Sequence, residues 1–108
     1  MKRRTKATYG LFISFEGMDS SGKTTVMKKV AEVLTNMGYE VITTREPGGT
    51  KFAEDLRSLI MKYDNLPRMA ELNLFEAARA DLMDKVIKPA LLENKIVLCD
   101  RFIDSTIA

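Results

Sequence analysis

Gly17-Met18-Asp19-Ser20-Ser21-Gly22-Lys23-Thr24 is the stretch on which the reading of this chain turns. It fits the pattern G-x-x-x-x-G-K-[S/T]. The apolar run Leu11 to Phe15 before it reads as a strand. Val26, Val30, Val33, Leu34 and Met37 after it recur at helical spacing, and Gly38 supplies a stop. Strand, loop, helix is the context that a phosphate-binding loop needs. Glycines let the backbone wrap closely, so that amides from Gly17 through Thr25 can point at phosphate oxygens. The helix that follows adds unpaired amides and the positive end of its dipole. Lys23 can reach the outer phosphates of a nucleoside triphosphate, and the Thr24 hydroxyl can ligate magnesium.

Working outward, Tyr39 to Thr44 is a second strand candidate and Pro47-Gly48-Gly49 a turn. Phe52, Leu56, Leu59, Ile60 and Tyr63 mark a second helix, which Asn65, Leu66 and Pro67 interrupt. A long helix is expected from Arg68 to about Glu93, with Leu72, Phe75, Arg79, Leu82 and Val86 along one stripe and Pro89 kinking or closing it. Ile96 to Cys99 is a continuous apolar run of the kind buried in parallel sheets, and a further helix is expected from Ile103. This alternation predicts an α/β fold with a parallel sheet. The order of its strands is not readable. Ligands of open parallel sheets bind beyond the carboxyl ends of the strands. The polar segments Glu16 to Thr25, Thr43 to Thr50 and Asp100 to Thr106 should therefore converge on one edge.

Composition agrees with a soluble domain: of 108 residues, 45% are apolar and 30% charged. The basic segment Met1 to Lys6 reads as a solvated terminus, with a nucleic-acid contact as the alternative. The net charge of +2 is too small to imply a polyanionic partner. No apolar run is long enough for a membrane span. The lone cysteine, Cys99, follows Ile96, Val97 and Leu98 and reads as a buried small hydrophobe, which suits a reducing cytoplasm. The absence of histidine disfavours Ser-His or zinc chemistry. Phosphoryl transfer requires neither.

At the ligand edge, Asp100 ends the third apolar run, the pattern of a strand that delivers a carboxylate to magnesium beside a phosphate loop. A helix-capping aspartate is the alternative. Arg45 and Arg101 lie just beyond strand ends, where a guanidinium fork suits a phosphate. They suggest a second phosphate-bearing molecule, against the simpler reading of two surface ion pairs. Arg79 interrupts an apolar stripe, where an unpaired charge would cost on the order of several kcal/mol once desolvated. With Phe75 one turn earlier it could stack on and hydrogen-bond a flat heterocycle. Alternatively it reaches solvent or pairs with an acid such as Asp81 or Glu76.

Four segments together resemble the thymidylate kinase family: Phe15 to Thr25, Thr44-Arg45-Glu46-Pro47-Gly48-Gly49-Thr50, Leu74-Phe75-Glu76-Ala77-Ala78-Arg79, and Asp100-Arg101-Phe102. The resemblance covers most of residues 10 to 108. It implies a three-layer P-loop nucleoside-monophosphate-kinase fold and γ-phosphoryl transfer from ATP-Mg to dTMP, giving dTDP. It also implies that Asp19 holds the sugar 3′-hydroxyl of the acceptor, that Arg45 and Arg101 bind its phosphate, that Phe75 stacks on thymine and that Arg79 bonds its edge. Ser105 and Thr106 lie where the family approaches the base. A cytoplasmic homodimer with contacts on the long helices is expected from the same resemblance.

Three departures stand out. Ser20 and Ser21 occupy the loop where some members carry an arginine; members without it are expected to supply that cation from a mobile lid. Phe102 replaces the Tyr or His more often seen there. The chain is about half the family's length, so residues 1–9 read as a basic tail and residues 10–108 as the N-terminal portion of a P-loop kinase domain whose lid and later strands would follow. A kinase for another nucleotide or nucleoside, or a nucleotide-binding fragment without turnover, are the competing functions. A GTP switch is disfavoured by the lack of an Asn-Lys-x-Asp segment.

Overall fold

The computed structural model describes residues 10–16 and 20–101, the side chains of Ser20 and Ser21 excepted. Gly17, Met18, Asp19, Phe102, Ser105, Thr106 and the helix expected from Ile103 lie outside the described residues. The elements are β1 (Leu11–Glu16), α1 (Ser20–Asn36), β2 (Val41–Glu46), α2 (Lys51–Lys62), α3 (Arg68–Leu82), a π turn (Met83–Ile87), α4 (Lys88–Leu92) and β3 (Ile96–Arg101).

The three strands form one parallel sheet in the order β1-β3-β2. Going from β1 to β2 the chain steps across β3, and going from β2 to β3 it steps back. Crossovers between parallel strands are right-handed, so steps in opposite directions lay their helices on opposite faces. α1 covers one face, and α3 with its continuation covers the other. β3, central and covered on both sides, buries Ile96, Val97, Leu98 and Cys99 completely or nearly so. This is the expected apolar run, and its continuity follows from burial on both faces.

Sequence chemistry explains the ends of these elements. α1 stops at Gly38, which takes φ +98°. The Gly38 and Tyr39 amides donate back to the carbonyls of Thr35 and Leu34, a left-handed cap that satisfies the last turn. That closure uses Tyr39, so β2 begins at Val41 rather than at Tyr39. α2 is capped by Thr50, whose hydroxyl accepts from the Ala53 amide at 3.0 Å. α2 and α3 pack through Ala53, Leu56 and Ala78, with Leu74 and Ala77 against them. The small side chains let the two helices approach closely.

The long helix differs in detail from expectation. Pro89 has no N–H, and its ring would strike the carbonyl four residues earlier in a regular helix. The chain widens instead into the π turn, where the Lys88 amide reaches back to the Met83 carbonyl. Helix then resumes through Leu92, so Pro89 does not close it. Leu82, Ile87, Ala90 and Val97 form the core of this face, with Ile42, Val86 and Leu91 against them. No helix among the described residues is long and apolar enough to cross a membrane.

Candidate functional site

The strands end later than the apolar runs suggest. Asp100 and Arg101 are the last two residues of β3, Arg45 and Glu46 the last two of β2, and Glu16 the last of β1. Arg45 and Arg101 therefore sit within the ladder rather than beyond it. Arg45 stands opposite Asp100, and Glu46 and Glu16 opposite Arg101. The reason is that parallel pairing is decided by the backbone, and it continues past the point where side chains turn polar.

Strand alternation then sorts these residues to two faces. Val97 packs toward α3 and α4, so Cys99 and Arg101 share that side while Leu98 and Asp100 point toward α1. On β2, Ile42 packs toward α3 and α4, so Glu46 shares its face and Arg45 takes the other. Adjacent residues thus serve different clusters that meet at one sheet edge.

On the α1 face, Lys23 Nζ lies 2.7 Å from Asp100 Oδ1 and donates to the Arg101 carbonyl at 3.1 Å. The Lys23 side chain is only 7% exposed. Asp100 Oδ1 is shut off from solvent and is held by the ammonium's charge without an aligned hydrogen bond. Thr24 and Thr25 are exposed in the first turns of α1, next to Lys23 in the chain. An open cleft of about 320 Å³ at this edge is lined by Met27, Thr43, Thr44, Arg45, Gly49 and Asp100.

Arg45 is anchored by Glu54 of α2, which accepts from its Nη2 at 2.7 Å and its Nε at 3.1 Å. The Gly49 amide donates to the same carboxylate at 2.9 Å. Arg45, and after it this amide, hold the Glu54 carboxyl down to about 2 from its ordinary 4.5, and the Arg45 guanidinium is raised in turn. Arg57 donates to the Pro47 carbonyl at 3.0 Å. Its acidity is increased by burial first and by the nearby Arg45 charge second.

On the other face, Arg79 pairs with an acid, but the partner is neither Asp81 nor Glu76. It donates from Nη2 and Nε to Glu46 Oε1, at 3.0 and 3.2 Å. Arg101 Nε approaches the same oxygen at 3.4 Å, and its Nη1 donates to Glu16 at 3.2 Å. Asp81 instead accepts from the Thr50 hydroxyl at 2.7 Å and pairs with Lys85. Phe75 is partly buried one turn before Arg79.

The structure therefore brings Lys23, Arg45, Asp100, Arg101 and Arg79 to one edge. Glu46 and Glu54 were not singled out from the sequence. Glu46 could have been noticed, since alternation places it opposite in face to Arg45. Glu54 could not, because its reach to Arg45 depends on the geometry of the Pro47–Thr50 turn.

The donor set suits magnesium. The carboxylate of Asp100, with the Thr24 hydroxyl one residue along the chain from its partner Lys23, fits an ion that keeps several waters and takes further oxygens from phosphates. Among the described residues no cluster of three or more acidic, Cys or His side chains offers an all-protein cage.

The same chain can be set beside known proteins. A family model described as thymidylate kinase matches residues 15–108. Thymidylate kinase from Exiguobacterium sibiricum is 50% identical over 101 residues, 92% of this chain and 48% of that protein. The enzyme of the same name from Ehrlichia ruminantium is 54% identical over 100 residues, 91% of this chain and 50% of that one. A crystal structure of thymidylate kinase from Ehrlichia chaffeensis superposes with a TM-score of 0.80 at 49% identity, covering 91% of this chain and 56% of that one. The chain thus spans about half the length of the curated relatives it matches.

Proposed function

Given that this chain belongs to the thymidylate kinase family, we propose that the protein transfers the γ-phosphoryl group of ATP to dTMP, giving dTDP. The observation that carries the reading is the Lys23–Asp100 ion pair, with Lys23 7% and Asp100 29% exposed, which joins the start of α1 to the end of β3. A cation for phosphate oxygens and a carboxylate for a metal stand together there.

The acceptor is already a phosphate oxygen, so no side chain has to act as a strong base. Catalysis rests on positioning and on charge. Lys23 and the amides from Gly17 to Thr25 would hold the donor phosphates. Arg45 and Arg101 would hold the acceptor phosphate, each already oriented by a carboxylate. Asp19 would hold the sugar hydroxyl, Phe75 and Arg79 the base, and Ser105 and Thr106 would stand near it. Thr24 and Asp100 would hold magnesium, which offsets charge on the donor phosphates when bound. Residues 10–108 would form the N-terminal portion of the kinase domain. A cytoplasmic homodimer belongs to the same reading. Exposed Phe52, Leu59, Met61 and Tyr63 on and beside α2, with Met69 on α3, are its candidate contacts, and sedimentation would detect or refute the pair.

The test is a coupled assay for nucleoside diphosphate on the protein at its native length, with dTMP, dUMP, dCMP and thymidine as acceptors. Formation of dTDP from dTMP is expected; its absence would sink the proposal.

A further inference from the structure

We propose that Glu46 is a positioning residue that sets the two arginines facing the acceptor, Arg79 and Arg101, through one shared carboxylate oxygen; this rests on the reading of the site as a dTMP acceptor site. Glu46 is only 8% exposed and is the one charged residue among the described residues in the buried class. Its Oε1 takes Arg79 Nη2 at 3.0 Å, Arg79 Nε at 3.2 Å and Arg101 Nε at 3.4 Å. The two arginines come from different elements, α3 and β3. What fixes one relative to the other is this oxygen, at the end of a third element, β2.

The arrangement has a physical consequence. Arginine carries large rotamer entropy, and an acceptor that had to order two free guanidinium groups would bind more weakly. Glu46 orders both beforehand. Both guanidinium groups share this one oxygen, while Glu16 separately accepts from Arg101 Nη1 at 3.2 Å. Arg79 spends Nε and one Nη2 hydrogen on Glu46, and the rest of its fork stays available to a ligand. Arg45 lies on the opposite face of β2 and is held separately by Glu54. Removing Glu46 should therefore loosen Arg79 most, loosen Arg101 less because Glu16 still holds it, and leave Arg45 and the Lys23–Asp100 pair in place.

Steady-state kinetics on the protein at its native length tests this with wild type, Glu46→Gln, Glu46→Asp, Arg79→Met and the Glu46→Gln/Arg79→Met double variant. Glu46→Gln is expected to raise KM for dTMP by about 10-fold, to change kcat by less than about 3-fold and to leave KM for ATP unchanged. Its effect on KM should shrink in the Arg79→Met background, because one of the two groups it acts through is gone. An unchanged KM for dTMP, with lower kcat and a lower melting midpoint, would make Glu46 a purely structural carboxylate and overturn the proposal. If Glu46→Gln does not fold, Glu46→Asp keeps the charge but withdraws it by one methylene. A smaller rise in KM for dTMP alone is then expected, and no rise overturns the proposal. A wild-type protein that makes no dTDP would overturn the functional reading itself, a result visible before any variant is assayed.

Discussion

Lys23 Nζ lies 2.7 Å from Asp100 Oδ1, so the first turn of α1 and the end of β3 are joined by a direct ion pair. On the proposed reading, the ammonium turns toward donor phosphates while the carboxylate takes the metal. Lys23→Met should lower kcat by about 10²- to 10³-fold, the usual cost of losing one preorganised charge donor. Asp100→Asn keeps the shape but loses the charge. It should lower kcat and raise the magnesium concentration needed for half-maximal rate. A magnesium titration with the same midpoint as wild type would argue against Asp100 as a ligand.

The Arg45–Glu54 pair makes a prediction about acid. Arg45, and then the Gly49 amide, hold the Glu54 carboxyl down to about 2 from 4.5. A depressed carboxyl binds fewer protons in the folded chain than in the unfolded one. Its contribution is therefore full above 4.5 and is lost as pH falls from there toward 2. Both side chains are more than a third exposed, so solvent screens the pair and the amplitude should be modest. Wild type should melt above Glu54→Gln at neutral pH, and the gap should close across that window. A gap independent of pH would mean that packing, not charge, is what Glu54 contributes.

Much of this was legible in the sequence because it follows from local pattern. The apolar run of β3 announced burial on both faces, and Gly38 announced the end of α1. Arg79 on an apolar stripe announced an ion pair or a ligand, and an ion pair is what the structure shows. What was not legible depends on register. Only the ladder sets Glu46 beside Arg101, and only the turn from Pro47 to Thr50 carries Glu54 back to Arg45. Arg79 had candidate partners within one helical turn, yet its partner is 33 residues away on β2. Pattern shows that a charge requires a partner; topology decides which partner it finds.

Gly49 is the point where that turn is least tolerant. It adopts φ +92°, and a Cβ there would meet Thr44 Oγ1 and come within 2.5 Å of Leu82 Cδ1. Leu82 is fully buried and cannot easily withdraw. Gly49→Ala should therefore destabilise by about 2 to 4 kcal/mol, combining backbone strain with overpacking. Urea unfolding should show a lower midpoint at an unchanged slope. A midpoint equal to wild type would mean that the turn can relax and that the glycine is dispensable.

Cys99 offers a check on the burial of β3 that does not depend on any functional reading. It stands between Ser14 and Thr44 in the ladder and is completely buried. Burial foremost, then the negative charges of Glu46 and Asp100, push its thiol up to about 12. The thiolate is the reactive form. At about pH 8 the folded protein should therefore be nearly inert to a disulfide reagent, reacting only as fast as β3 becomes exposed by opening. In concentrated guanidinium the single cysteine of each chain should react at once. Saturating nucleotide should slow the folded-state reaction further if it binds at the edge that Asp100 and Arg101 form, because a ligand stabilises the closed state in proportion to its excess over Kd. Fast labelling of the folded protein would place Cys99 at an accessible surface, and the central position of β3 would then have to be abandoned.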